Sequence, residues 1–213
     1  NMSSMFYQCY ALTSVPLFDT SSATTFEKMF QRCYALTSVP LFNTSLVTNM
    51  FYMFGECSSL TTVPLFNTSS VTNMGDMFSS CRSLTSVPLF NTALVTNMSS
   101  MFSACYELTS VPLFNTSSVT NMSSMFYQCY ALTSVPLFNT SLVTNMAAFL
   151  YSCRKVINIP ALDLGSATNL SGYPFLIGGG GRLEAINIIS SFDMRQMNMT
   201  AAALNEVYTN LAT

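Results

Sequence analysis

The chain has 213 residues, of which 50% are hydrophobic and only 8% are charged, and its formal net charge is −2. The seven Lys and Arg are scattered and form no basic stripe, so we expect no nucleic-acid partner. No apolar run approaches the roughly 18–20 residues that span a bilayer, so we also expect no membrane insertion.

The cysteines reveal an internal repeat, because all seven recur at intervals of 24 residues from Cys9 to Cys153. We call each unit a rung and count places within it from its first residue. The rungs begin at Asn1, Thr25, Asn49, Asn73, Asn97, Asn121 and Asn145, and a degenerate eighth begins at Asn169. The chain starts without an initiator Met or a signal-peptide pattern, so we interpret it as a fragment of a longer protein.

Each rung predicts a short helix followed by a short strand. In the first rung the apolar residues Met2, Met5, Phe6 and Cys9 have the i, i+3, i+4, i+7 spacing of a helical stripe. Thr and Asn just before this stripe are typical helix N-caps. The following Leu12-x-x-Val15-x-Leu17 ends with a period of two, which predicts a strand with one buried face. Pro16 lacks an N–H, so we expect regular pairing over only about three residues.

A single rung cannot fold alone, because ordering each residue costs on the order of 1.5 kcal/mol. Burying each of its large apolar side chains returns only about 1.5–3 kcal/mol. Stacked rungs bury one another, which predicts a solenoid. Strands lie about 4.8 Å apart and packed helices about 8–10 Å apart, so we expect the stack to bend with its strands on the concave side.

The motif F-x-x-C-x-x-L-x-x-V, formed by Phe6, Cys9, Leu12 and Val15, resembles the BspA-like class of bacterial leucine-rich repeats. The string "LFNTSLVTNMSSMFYQCYALTSV" is similar to a subgroup of surface-protein repeats, and the resemblance covers about residues 1–170. It implies a right-handed solenoid that serves adhesion or recognition on a bacterial surface or a bacteriophage tail. The expected fold class is therefore an α/β repeat solenoid, a right-handed leucine-rich repeat of 24-residue units with a C-terminal helical cap.

We expect residues 1–168 to form seven repeats and residues 169–213 to form the eighth repeat and the cap. Leu183-x-x-Ile186-x-Ile188 predicts a last strand, displaced three residues by the "GYPFLIGGGG" insertion. A helical stripe follows, which predicts a helix that covers the end of the stack; its residues are Leu204, Val207, Tyr208 and Leu211.

The cysteines are expected to be buried, inert thiols. An odd number cannot all pair, and stacked helices would hold successive Cys Cα atoms beyond the roughly 7 Å that a disulfide bridges. Zinc requires convergent ligands, and there is no His. We therefore expect no metal and no cofactor.

Three further features have structural interpretations. Gly178–Gly181 before Arg182 lacks the Lys and Ser/Thr of a phosphate-binding loop and indicates a flexible turn. The nine Asp and Glu show no paired spacing, so we expect no enzyme activity. Asn-x-Ser/Thr sequons recur and favour turns and caps over glycan attachment; they include Asn43, Asn67, Asn97, Asn115, Asn121 and Asn139.

The tyrosines are the candidate ligand-binding residues. Eight of them fall at places 4, 7 and 10, where the rungs differ most from one another: Tyr7, Tyr10, Tyr34, Tyr52, Tyr106, Tyr127, Tyr130 and Tyr151. Tyr and Ser together make adaptable binding surfaces, and Tyr rings suit the apolar faces of sugars. The alternative is that these rings only cover the shoulders of the helices. A second candidate face contains Ser14, Pro16 and their equivalents, and Phe18 would join it if it points outward.

The resulting hypothesis is an extracellular adhesion module of a phage tail fibre or a bacterial surface protein. It would bind a cell-surface glycan or protein, and the parent protein could form a homo-oligomer through its missing N-terminal part. The alternative is a structural spacer or fibre component whose flanks bind nothing.

Overall fold

The computed structural model of the protein describes residues 1–156 and 162–171, and the backbone alone of 158–159 and 182–183. Two short strands lie in this part of the chain, β1 (Asn158–Ile159) and β2 (Arg182–Leu183). They pair in parallel, with Asn158 opposite Arg182. This pairing keeps the 24-residue offset of the rungs (182 − 158), so the expected three-residue displacement is wrong at this pair. The predicted cap helix lies outside the described residues.

The rungs stack in register, which confirms the repeat solenoid. Their first residues form parallel bridges, in the order Thr25, Asn49, Asn73, Asn97, Asn121, Asn145 and Asn169. Beside each bridge the Thr at place 24 donates its N–H to the same Thr of the preceding rung, as Thr48 does to Thr24 at 2.9 Å. Eight apolar columns, at places 2, 5, 6, 9, 12, 15, 18 and 23, therefore run along the described stack and form one core.

Places 2–9 of each rung, called the turn segment below, were predicted to form a helix, and this prediction is wrong. The described residues contain no α-helix. N–H groups at even places donate to the next rung, as Phe102 does to the carbonyl of Met125 at 3.0 Å. Those at odd places 5, 7 and 9 close turns within the rung, as Ser103 does with Ser100 at 3.0 Å. The N–H at place 3 donates to the side chain at place 1, so every backbone donor of places 2–9 in the first six rungs is paired without a helix.

The turn segment also requires left-handed backbone at two fixed places. Residues at places 4 and 8 of all seven rungs have φ between 52° and 65°, and none of them is Gly. Such a conformation costs a non-Gly residue roughly 1–2 kcal/mol. The hydrogen bonds that these same residues donate to the next rung offset this cost, as from Ala104 to Tyr127 at 2.7 Å.

The spacing of the rungs explains why no helix forms. The place-6 Phe rings stack with centroids 5.2–5.8 Å apart from Phe6 to Phe126. Helices need about 8–10 Å between axes, whereas this distance is close to that between strands. The mismatch on which we based a bent stack is therefore absent.

Places 12–18 of each rung, called the proline segment below, bury every third residue rather than every second. In the fifth rung Leu108, Val111 and Phe114 are buried, whereas Leu113 is 61% exposed. A period of three is that of polyproline II backbone, which Pro favours. The prediction that Leu17 and its equivalents are buried is thus wrong, and the Phe at place 18 belongs to the core.

The two sides of a rung donate their hydrogen bonds in opposite directions along the stack. The turn segment donates forward, as from Phe6 to Met29 at 2.9 Å. Near the proline segment the donation runs backward, as from Thr37 to Thr13 at 3.1 Å.

Six cysteines are buried in a single file, and Cys9 in the first rung is exposed. All seven lie within the described residues and are free thiols. Each buried sulfur donates to a Phe carbonyl of the preceding rung, as Cys81 Sγ does to Phe54 O at 3.0 Å. Burial raises the pKa of the Cys33 thiol to about 11, consistent with the predicted inert thiols. The argument that stacked helices would hold successive Cys Cα atoms too far apart for a disulfide is wrong, because the rungs contain no helices.

The recurrent Asn and Thr residues shape the connections, as predicted for turns. Asn121 Oδ1 accepts a hydrogen bond from the N–H of Ser123 at 3.0 Å. The buried hydroxyl of Thr116 donates to the carbonyl of Asn139 at 2.8 Å. These side chains replace the predicted helix caps.

Candidate binding site

Side chains at places 4, 7, 8 and 10 of the rungs lie along one side of the stack and form what we call the tyrosine face. All eight candidate tyrosines belong to it, and none is fully buried. Tyr7, Tyr10 and Tyr34 are the most open, at 41–50% exposed. The turn segment fixes their spacing, because its forward hydrogen bonds hold each rung one step from the next.

Tyrosines at the same place of neighbouring rungs stack on each other. The ring centroids of Tyr10 and Tyr34 are 5.2 Å apart with an interplanar angle of 12°. At the other end of the stack Tyr127 and Tyr151 are 5.0 Å apart. The structure therefore brings most of the predicted site residues together as ladders of parallel rings rather than as isolated side chains.

Arginines extend one of these ladders. The place-10 column contains Tyr106 and Tyr130, stacked at 4.9 Å. The guanidinium of Arg82 lies 5.5 Å from the Tyr106 ring, and that of Arg154 lies 5.6 Å from the Tyr130 ring. Both distances fit cation–π contacts. The column thus consists of planar groups in the order Arg, Tyr, Tyr, Arg.

Ser58 interrupts the same column in the third rung. Tyr34 lies on one side of the interruption and Arg82 on the other, and a cavity of about 340 Å³ opens there. We call this cavity the Ser58 slot. Its lining residues are Tyr34, Tyr52, Glu56, Ser58, Ser80 and Arg82. Only Tyr34 and Tyr52 were candidate site residues from the sequence.

A glycine shapes one wall of the Ser58 slot. A Cβ atom on Gly55 would lie 2.0 Å from Cδ1 of Tyr52, so the ring of Tyr52 lies directly over Gly55. Place 7 holds a larger residue in every other rung. Gly55 therefore allows the place-4 tyrosine to fold across the surface beside the slot.

The charges around the Ser58 slot are partly paired. Glu56 accepts a hydrogen bond from Arg32 Nε at 3.0 Å, and this contact raises the pKa of the guanidinium. Burial raises the pKa of Asp76 to about 6, against the opposing effect of the Ser100 and Ser79 hydroxyls. Burial, followed by the Asp76 charge, raises the pKa of Tyr52.

The second candidate face proved to be leucine rather than phenylalanine. The exposed place-17 leucines form what we call the leucine column, with 58–67% of each residue exposed: Leu17, Leu41, Leu65, Leu89, Leu113 and Leu137. Three place-22 leucines are exposed as well: Leu46, Leu94 and Leu142. The sequence signal was present, since Leu at place 17 follows Pro and precedes a second large apolar residue.

Within the described residues, no group of three His, Cys, Asp or Glu is placed to hold a metal ion. The same part of the chain contains no helix long and apolar enough to cross a membrane.

Comparison with one solved structure supports the leucine-rich-repeat solenoid. The leucine-rich repeat protein of T. pallidum is 28% identical and aligns with a TM-score of 0.50 over 64% of this chain and 62% of its own. A leucine-rich cell surface protein of Faecalibacterium prausnitzii is 18% identical, with a TM-score of 0.46 over 78% of this chain and 59% of its own. Internalin C2 of Listeria monocytogenes is 15% identical, with a TM-score of 0.40 over 90% of this chain and 78% of its own. The chain therefore spans about three-fifths of the first two.

A comparison with curated proteins found no match. One family model matches residues 1–107 and 62–162, which together cover most of the chain. That family is described as "Mycoplasma protein of unknown function, DUF285". The match confirms the BspA-like character of the repeats. The chain belongs to this family of leucine-rich-repeat proteins.

Proposed function

We propose that this chain is an extracellular recognition module whose tyrosine face binds a glycan or a protein on a cell surface. The parent would be a bacterial surface protein or a phage tail fibre. The observation that carries the proposal is the stacking of surface tyrosines, two of them exposed and four half-buried, at 4.9–5.2 Å in three separate pairs. Membership of a family that resembles bacterial surface repeats supports the setting.

Stacked tyrosines favour binding because little conformational freedom is lost when a partner arrives. Each ring is already held by its neighbour, and a Tyr side chain has only two rotatable angles. The hydroxyls stay available for hydrogen bonds, and the ring faces offer apolar area. The neighbouring places carry Gln, Glu, Arg and Ser, so each pair of rungs presents a different surface.

Adherence to cells tests this proposal. The full chain and the variant Tyr106/Tyr127/Tyr130/Tyr151→Ser would be applied to a panel of bacterial cells and cell-surface glycans. We expect the variant to lose at least tenfold in affinity for the surface that the unchanged protein binds. The control is Leu65/Leu89/Leu113→Ser, which alters a different face; thermal unfolding verifies that each variant folds. Equal binding by both variants and the unchanged protein would contradict the proposal.

The leucine column supports a second candidate function, that of a structural fibre component. Leu recurs at place 17 in six successive rungs, so the column on one copy of the chain can pack against the same column on a second copy. An exposed apolar row favours such a contact. Sedimentation of the unchanged chain and of Leu65/Leu89/Leu113→Ser tests it. Concentration-dependent association that the substitutions abolish would support lateral assembly, and a monomer at all concentrations would exclude it.

We propose no catalytic role for the chain. The proposal is supported by the burial of six of the seven thiols. Burial raises the pKa of the Cys33 and Cys81 thiols, which keeps these two groups protonated. Incubation with chromogenic ester, phosphate and glycoside substrates tests it, and turnover of any of them would contradict it.

A further inference from the structure

We infer that the Ser58 slot binds a single pyranose ring of a glycan. This inference rests on the proposed function of the tyrosine face and names one ligand class and one place on it. The slot is the position where the place-10 column lacks the planar side chain that it has in the adjacent rungs. A bound ligand with a flat ring would fill the gap in the place-10 column.

The spacing of the column fits one ring. Tyr34 and Arg82 are two rung steps apart, a separation of about 10 Å at the usual distance between neighbouring strands. A guest ring midway between them would lie one step from each. Within the protein, that single step already stacks Tyr34 on Tyr10 at 5.2 Å and Arg82 on Tyr106 at 5.5 Å. The cavity of about 340 Å³ is at the small end of the roughly 300–1,000 Å³ typical of ligand sites.

The lining of the slot favours a sugar over an aromatic side chain. The polar residues Tyr52, Ser58, Ser80 and Glu56 line the slot together with Tyr34 and Arg82. The Ser58 hydroxyl donates to the carbonyl of Tyr34 at 3.3 Å and Glu56 accepts from Arg32, and both groups keep further hydrogen-bonding capacity. A pyranose has an apolar face for the tyrosine ring and hydroxyls for these polar groups. An apolar aromatic ring would shield these polar groups from water without using their remaining hydrogen-bonding capacity, which costs binding free energy.

Arg82 and Glu56 are prepared to bind hydroxyl groups. Among the described residues the ion pairs are Lys28–Glu27 and Arg32–Glu56, so Arg82 has no carboxylate within ion-pair distance there. Its guanidinium lies against Tyr106 on one side and lines the slot on the other. Arg32 holds Glu56 at 3.0 Å, which fixes the carboxylate that would accept sugar hydroxyls.

The binding of simple glycosides tests the inference. The full chain would be titrated with the methyl glycosides of glucose, galactose, mannose and N-acetylglucosamine and followed by saturation-transfer NMR and calorimetry. We expect at least one of them to bind with a single site per chain. Ser58→Tyr supplies the missing ring from within and should lower that affinity at least tenfold.

Ser117→Tyr is the matched control, because it adds the same ring at an exposed turn outside the slot. Its affinity should stay within twofold of the unchanged protein. Ser58→Tyr should remain folded, since Tyr occupies place 10 in four rungs, and thermal unfolding verifies this. Failure of all four glycosides, or unchanged binding by Ser58→Tyr, would overturn the inference. Preferential binding of p-cresol, a model of a tyrosine side chain, would overturn it as well.

Cell adherence separates this inference from the proposed function. If Ser58→Tyr adheres normally to cells while the four-tyrosine variant does not, the tyrosine face still binds and the slot does not contribute. If a glycoside binds at the slot while the four-tyrosine variant adheres normally, the slot is a sugar site and the wider face is not the adhesive surface.

Discussion

The turn segment and the proline segment cover the same core but are held in place differently. In the turn segments of the first six rungs all the backbone N–H groups at places 2–9 have partners, and half of them donate to the next rung. In the proline segment the Pro has no N–H, and few bonds cross between rungs. The proline segment instead relies on three buried side chains, such as Leu108, Val111 and Phe114. One side of the solenoid is thus specified mainly by its backbone and the other mainly by packing.

This difference explains where the sequence can vary. Backbone hydrogen bonds join neighbouring rungs in the turn segment, so its outward side chains can vary without loss of these bonds. Places 4, 7 and 8 accordingly differ widely among the rungs. The sequence of the proline segment is almost identical in six rungs, because its buried side chains hold neighbouring rungs together.

The largest expected effect compares a buried residue of the turn segment with an exposed residue of the proline segment. Phe102 is fully buried and stacks on two neighbouring Phe rings, so Phe102→Ala should lower the free energy of unfolding by about 3–5 kcal/mol. Leu113→Ala should change it by less than about 0.5 kcal/mol, as is usual for a surface site. Urea unfolding measures both, and similar losses would show that the leucine column is buried in solution.

A substitution at Ala104 tests the backbone of the turn segment directly. Ala104 has φ of 56° and donates to Tyr127. Ala104→Pro removes that donor and cannot adopt this φ, so we expect a loss of about 3 kcal/mol or more. Ala104→Gly should leave the stability unchanged or raise it by up to about 1 kcal/mol, because Gly relieves the left-handed conformation. A helix at this place would give the opposite sign for Gly, which thermal unfolding would detect.

The buried threonines between the two segments should have an intermediate effect. Thr92 Oγ1 donates to the carbonyl of Asn115 at 2.8 Å, and Thr92→Val leaves that carbonyl without its partner. We expect a loss of about 1–2 kcal/mol. Thr85→Val is the control, since its exposed bond to Thr61 is long at 3.4 Å, and it should be nearly neutral. Urea unfolding of the two variants decides whether burial of the bond matters.

The smallest expected effect depends on pH and lies in the turn segment. Burial raises the pKa of Asp76 from 3.8 to about 6, so the folded chain takes up this proton more readily than the unfolded chain. Asp76 therefore supports stability below pH 4 and loses that contribution as the pH rises through about 6. Asp76→Asn should raise stability by about 1 kcal/mol at pH 7, allowing for solvent screening, and by nothing at pH 4. Thermal unfolding at the two pH values provides the test, and an equal effect at both would contradict the assignment.

The repeat, its register and the core residues at places 2, 5, 6 and 9 could be predicted from sequence, because identical spacing requires identical environments. The secondary structure of places 2–9 could not. A helix and this series of turns would bury the same places. The helix is excluded only because the neighbouring rung lies at the distance between strands, which is too close for two packed helices. At place 17 the period was misjudged, because Leu17 and Phe18 are adjacent apolar residues and one of them must point outward.

The candidate site was predicted in part. The tyrosines were identified because they vary against an otherwise constant rung. The roles of Ser58 and Arg82 were missed, although place 10 reads Tyr, Tyr, Ser, Arg, Tyr, Tyr, Arg along the chain. A single serine has no obvious chemistry until its neighbours are known to stack.

The opposed directions of hydrogen bonding make the two faces of a described rung complementary. The face of a rung that points toward Asn1 presents carbonyls along the turn segment and amides near place 13, where Thr13 lies in the first rung. The opposite face presents amides along the turn segment and carbonyls near place 13. A block of 24 residues can therefore be duplicated or deleted, and every backbone donor still meets an acceptor across the new junction. A change of 12 residues would align a turn segment with a proline segment and bring amides opposite amides. The gene can lengthen or shorten this protein in whole units without redesigning any of them.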